Sequence, residues 1–202
     1  MQSLSKRLWR RIKILTSPKE FYIYPHKTYA HHCLSLSQEG EVQILSKIFR
    51  SHKTGFYVDV GAYHPQRFSN TYSFYLKGWR GINIDAMPGS MKLFNELRPG
   101  DINVEVAIAN EVKNLTYCIF DEPALNSLSE QLVNHQIEAL DCRVLETRVI
   151  RTQKLLDVLD KYLETGQPIH LLSVDVEGLD HQVLLSNDWA KYRPGIVLVE
   201  EW

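Results

Sequence analysis

Asp59 and Gly61 stand within the run FYVDVGAYHP, Asp85 closes GINID, and Asp175 and Glu177 stand in SVDVEGLDH. Each of these acids falls where a β-rich run ends. In doubly wound sheets, ligands bind beyond the carboxyl ends of the strands, where strand order reverses. The turn over residues 59–65 is therefore expected under the ligand. A pyrophosphate there needs several glycines for close backbone approach and wants helix N-terminal amides. This turn offers one glycine, Gly61, then Ala62 and the bulky Tyr63, His64 and Pro65. Its carboxylate would repel a pyrophosphate by on the order of a few kcal/mol in a partly dry site, and would attract an ammonium.

S-adenosylmethionine meets that requirement, since it carries an ammonium, a sulfonium and a ribose and has no phosphate. Asp59 is expected to face its methionine end and Asp85 the ribose diol, which a carboxylate grips in bidentate fashion. Ala62, Ala86 and Ala107, near the ends of the first three strands, complete the expected cofactor wall. Asp175 and Glu177, at i and i+2, point the same way if the chain stays extended. They can orient a substrate hydroxyl, act as general base or hold a divalent cation; they can equally cap the next helix. Asp175, His64 and His181 are the candidate bases. Glu177, Tyr63 and Asn70 are placed around the substrate. No trio of His, Cys or carboxylate residues has metal-ligand spacing along the chain, so no metal ligands are assigned and a divalent cation is left open. Aspartates at strand ends also serve turns, so the pairing of Asp59 with Asp85 says more than either alone.

The elements that must hold these residues alternate from Gly55 onward. Strands are expected over 56–60, 81–85, 102–108, 169–174 and 195–200. A helix over 69–77 is capped by Ser69 or Asn70 and stopped by Gly78. Pro88 opens the next helix, and Thr152 caps another that carries Leu155, Leu156 and Leu159. This rhythm predicts an α/β fold with a doubly wound, mainly parallel sheet. Strand four is expected beside strand one. The segment 110–150 breaks the rhythm with two alternating runs around a polar, partly helical stretch, and reads as an inserted hairpin-based flap. Residues 1–40 form a lead-in and 41–202 the main domain.

Composition restricts the function classes. A net charge of -1 gives no global case for nucleic acid, and 44% hydrophobic with 23% charged residues describes an ordinary globular chain. Cys33, Cys118 and Cys142 are widely spaced and odd in number, which argues against zinc and a disulfide framework and for the cytoplasm. The stretch LSKRLWRRIKIL sets Leu4, Leu8, Ile12 and Leu15 at helical spacing among Lys6, Arg7, Arg10, Arg11 and Lys13. Such a basic amphipathic helix can lie on the inner membrane face or dock on its own domain.

Taken in order, DVGAYHPQRFSNT, GWRGINIDAMP, RPGDINVEVAI, NSLSE and SVDVEG resemble the FkbM family of S-adenosylmethionine-dependent methyltransferases. The likeness covers roughly residues 40–202. It implies a Rossmann-like class I methyltransferase fold and methyl transfer to a hydroxyl on a sugar, a glycan or a secondary metabolite, with S-adenosylhomocysteine as product. By this likeness Asp59 and Gly61 match the first cofactor motif, Asp85 the ribose-binding acid, and Asp175, Glu177 and Gly178 the signature after strand four. The chain stops just past its fifth strand, short of the helix and two strands that usually follow, so that strand is expected to present an open edge. A homo-oligomer is one way to cover it. The competing readings are a non-catalytic scaffold on this fold and a nicotinamide-dependent oxidoreductase.

Overall fold

The computed structural model describes residues 37–38, 40–140 and 142–200. The basic helix expected over residues 4–15 lies outside them. Its main sheet has five parallel strands in the order β3-β2-β1-β7-β8, with β1 Phe56–Val60, β2 Arg80–Asp85, β3 Ile102–Glu105, β7 Leu171–Val174 and β8 Ile196–Val199. Order reverses between β1 and β7, which pair from Tyr57↔Leu171 to Val60↔Val174. The fourth main-sheet strand thus lies beside the first, as expected.

Both faces of this sheet are covered, which is why its strands read as unbroken apolar runs. On one face Val58, Val60, Ile82, Ile84, Leu172 and Val174 pack against Leu155, Val158 and Leu159 of α5 (Leu155–Tyr162) and Val183 of α6 (Asp180–Leu185). On the other, Tyr57 and Leu171 pack with Leu45 of α1 (Glu41–Ile48), Phe49 just after it, Phe74 of α2 (Tyr72–Leu76) and Trp79.

That second face also buries a charge. Arg98, which follows α3 (Met91–Leu97), is fully buried, and its Nε donates to Asp101 Oδ2 at 2.9 Å. Its Nη2 donates to the Tyr57 hydroxyl and to Thr71 Oγ1. Tyr57 in turn donates to Asp101, and Thr71 to Asp59 Oδ2 at 2.6 Å. A guanidinium this deep is tolerated because its donors are met by hydroxyls and a carboxylate.

Four local expectations shift. The strand read over 102–108 divides at Val106, whose amide donates to the Asp85 carbonyl, and β4 (Ala107–Ile108) joins a second sheet of order β4-β6-β5. Thr152 is not a helix cap: it lies in β6 (Val144–Gln153), with Oγ1 2.6 Å from the Glu111 carbonyl, and α5 starts later, at Leu155. Pro88 sits in a turn ahead of α3. α2 starts at Tyr72, because Ser69 Oγ already accepts the Thr71 and Tyr72 amides.

Over the segment read as a flap, two strands pair around a helix. β5 (Asn114–Phe120) runs antiparallel to β6, and α4 (Glu130–Leu140) lies between them in sequence. Among the described residues, no helix is long and apolar enough to cross a membrane.

Candidate active site

A cavity opens at the carboxyl ends of β1, β2, β4 and β7, against the topological switch. Its floor is Val60 and Gly61, one wall is Asp85, Ala86 and Met87, and the flap adds Tyr117, Asn126 and Leu128. Asp175 and Glu177 line it after β7, and Tyr63 and Phe68 after β1.

Gly61 is required where it stands. Its φ is +82°, and a Cβ there would fall 1.6 Å from the Asp175 carbonyl oxygen. Its amide donates to the Ile84 carbonyl at 2.9 Å. The absence of a side chain thus lets the turn after β1 press between the ends of β2 and β7.

Asp85 is aimed into the cavity by two backbone amides. Tyr63 N–H donates to its Oδ2 and Met87 N–H to its Oδ1, each at 2.8 Å. Each oxygen retains a lone pair. Burial pushes the Asp85 carboxyl above its usual range, against the pull of these amides. Tyr63 holds a left-handed φ of 52°, so its amide is presented to Asp85 at some cost in backbone strain.

Asp175 and Glu177 meet a third carboxylate that sequence reasoning missed. Glu200 follows β8, and its amide donates to the Val174 carbonyl at 3.1 Å. Carboxylate oxygens of Asp175, Glu177 and Glu200 lie within 4.8 Å of one another. Spacing along the chain could not reveal this trio, because Glu200 comes from a neighbouring strand. Burial raises Asp175 to about 9, helped by a hydrogen bond to Glu200. Burial and the Asp175 charge raise Glu177 to about 8. Three such carboxyls can share protons or, as oxygen ligands, hold a divalent cation. The capping role considered for Asp175 and Glu177 falls to Asp180, whose oxygens accept the Val176 and Gly178 amides.

Several expected site residues are placed elsewhere. The Asp59 carboxylate does not line the cavity: it is buried against the Thr71 and Ser173 hydroxyls, and joins the Arg98 network instead. Ala62 packs with Met91 and Phe94. Ala107 is buried but turned away, and its neighbours Val106 and Ile108 line the cavity, because side chains alternate along a strand. Asn70 donates to Ser173 at 3.3 Å, outside the cavity lining. His64 Nδ1 accepts the Gln66 and Arg67 amides, which makes it a turn-former. His181 lies exposed on α6. Neither histidine reaches the cavity lining. The residues gained are Glu200, Met87, and Tyr117 with Asn126 from the flap.

A parallel sheet reversing between β1 and β7, with a cavity over that reversal, defines a Rossmann-like α/β domain. A profile of the Methyltransferase FkbM domain matches residues 59–201, and the chain belongs to that family. Comparisons with curated proteins and with solved structures give no match.

Proposed function

We propose that this methyltransferase domain takes S-adenosylmethionine as donor and methylates a hydroxyl oxygen on a sugar, a glycan or a secondary metabolite. The observation that carries the donor is Asp85, a buried carboxylate held at the cavity with a lone pair on each oxygen for a vicinal diol. Gly61, which lines the cavity beside Asp85 and Asp175, leaves its backbone bare to a ligand there. The lining holds three carboxylates, Asp85, Asp175 and Glu177, and no Lys, Arg or His among the described residues. That chemistry favours a cation over the pyrophosphate of a nicotinamide cofactor.

The donor supplies an electrophilic methyl group on positively charged sulfur. The domain's own task is placement, with the acceptor oxygen held about 3 Å from the methyl carbon. Asp175 takes the hydroxyl proton as the oxygen–methyl bond forms and the carbon–sulfur electron pair stays on sulfur. Raised to about 9, Asp175 is a strong base once ionised, so methyl transfer is expected to rise with pH toward that value.

Calorimetric titration with S-adenosylhomocysteine tests the donor. Micromolar binding is expected, weakened at least tenfold or so in Asp85→Ala. A folded chain that binds neither S-adenosylmethionine nor its product would sink this reading and favour a non-catalytic scaffold. Asp175→Asn should keep product affinity within about twofold while lowering methyl transfer to hydroxylated sugars by on the order of a hundredfold. Equal turnover in that variant would remove Asp175 from the reaction.

A further inference from the structure

The flap does more than wall the cavity, because it grips the backbone that carries Glu177. Ser127 is fully buried, and its Oγ donates to the Glu177 carbonyl at 2.7 Å while accepting the Ser129 amide at 2.9 Å. Ser127 is itself anchored in the ribbon, exchanging backbone hydrogen bonds with Cys118 of β5. Glu177 holds a φ of 54°, a left-handed conformation that a side chain of its size avoids without support. Gly178 follows at φ 95°, and a Cβ on it would meet Ser129 Cβ at 3.1 Å. The NSLSE stretch of the flap and the DVEG turn after β7 are thus fitted together.

The strained turn has a visible product. Glu177 Oε2 is buried beside Asp175 and Glu200 and has no hydrogen-bond partner among the described residues. A buried acceptor left open in this way is costly unless a ligand meets it. An extended residue at 177 would direct its side chain differently, since side-chain direction follows backbone conformation.

We propose that Ser127 is a positioning residue: by fixing the Glu177 peptide in its left-handed conformation, the flap holds the Glu177 carboxylate against the cationic sulfur end of the donor. Flap docking and carboxylate placement are then one event. This rests on the S-adenosylmethionine reading and adds to it a role for a residue that does not line the cavity.

The test compares S-adenosylmethionine, a sulfonium, with S-adenosylhomocysteine, its uncharged thioether. Both are titrated into the full chain by calorimetry, in mildly alkaline buffer with a chelator present. A carboxylate beside the sulfur favours the charged ligand, whereas a purely structural defect weakens both alike. Glu177→Gln is expected to cut the preference for the sulfonium, relative to the native chain, by about tenfold. Ser127→Ala should reproduce that cut, and adding it to Glu177→Gln should produce no further change. Ser127→Thr, which keeps the hydroxyl, should retain the native preference.

If Ser127→Ala fails to fold, Gly178→Ala loads the same turn from the other side and should also lose the preference. An unchanged preference in a folded Ser127→Ala or Gly178→Ala chain overturns the proposal, as does an unchanged preference in Glu177→Gln. Loss of both ligands from the native chain is a different failure. It removes the donor reading, and this inference falls with it.

Discussion

At the residue scale the site is governed by carboxyls that resist ionisation. Glu177 is raised to about 8 and Asp175 to about 9, with desolvation as the first cause in each. An acid raised on folding stabilises the folded state fully below its ordinary range, and that stability is lost as pH climbs through the raised value. Glu177→Gln removes one such acid, so its melting temperature should increasingly exceed the native one as pH rises from the ordinary glutamate range to about 8, stay above it beyond, and converge with it in acid. Melting curves across that range check this; a variant less stable at neutral pH would show that the glutamate is paired there. The ligand responds with the opposite sign. The cation is attracted only to ionised carboxyls, so affinity for S-adenosylmethionine relative to its product should rise with pH through about 8 to 9. Titrations at several pH values read this directly, and a flat ratio would place the sulfur away from Asp175 and Glu177.

At the scale of elements, strands ended by acids were plain in the sequence, and so was the inserted flap. The direction each acid faces was not. Asp59 stands one residue before the end of β1, yet its carboxylate turns under the sheet to Thr71, because Arg98, some forty residues on, creates a polar interior there. Nothing local to Asp59 announces Arg98. Glu200 was invisible for the same reason, since it reaches Asp175 only through the pairing of β7 with β8. The break at Val106 was hidden because residues 102–108 keep one apolar rhythm while changing sheets. Gly61, in contrast, was legible and is decisive. Gly61→Ala would force a Cβ to within 1.6 Å of the Asp175 carbonyl, so β1 and β7 would have to part. Loss of S-adenosylhomocysteine binding and a clear drop in melting temperature are expected; a variant with native affinity would show that the β1–β7 contact yields easily.

At the scale of the whole molecule, the two faces of the main sheet differ in kind. One has a buried aliphatic core under α5 and α6, with Phe56, Tyr162 and Tyr192 packed at its margin, and the other mixes buried aromatic rings with the Arg98 network. Trp79 fills the second layer at 1% exposure, packed on Phe49 and Phe74 at 5.0 and 4.8 Å between ring centroids. Trp79→Ala should cost about 3–5 kcal/mol, measured by denaturant unfolding. A loss under about 1 kcal/mol would mean that this layer collapses readily around the gap. The seam between flap and sheet has a consequence on a longer timescale. On the proposed function the ribbon walls the acceptor side and the sheet holds the donor, which lets the two diverge separately during descent. Relatives that accept different molecules should therefore vary freely in the ribbon while preserving the sheet. Positions 127, 177 and 178 join the two halves and should change together or not at all, leaving covariation across that seam as its hereditary trace.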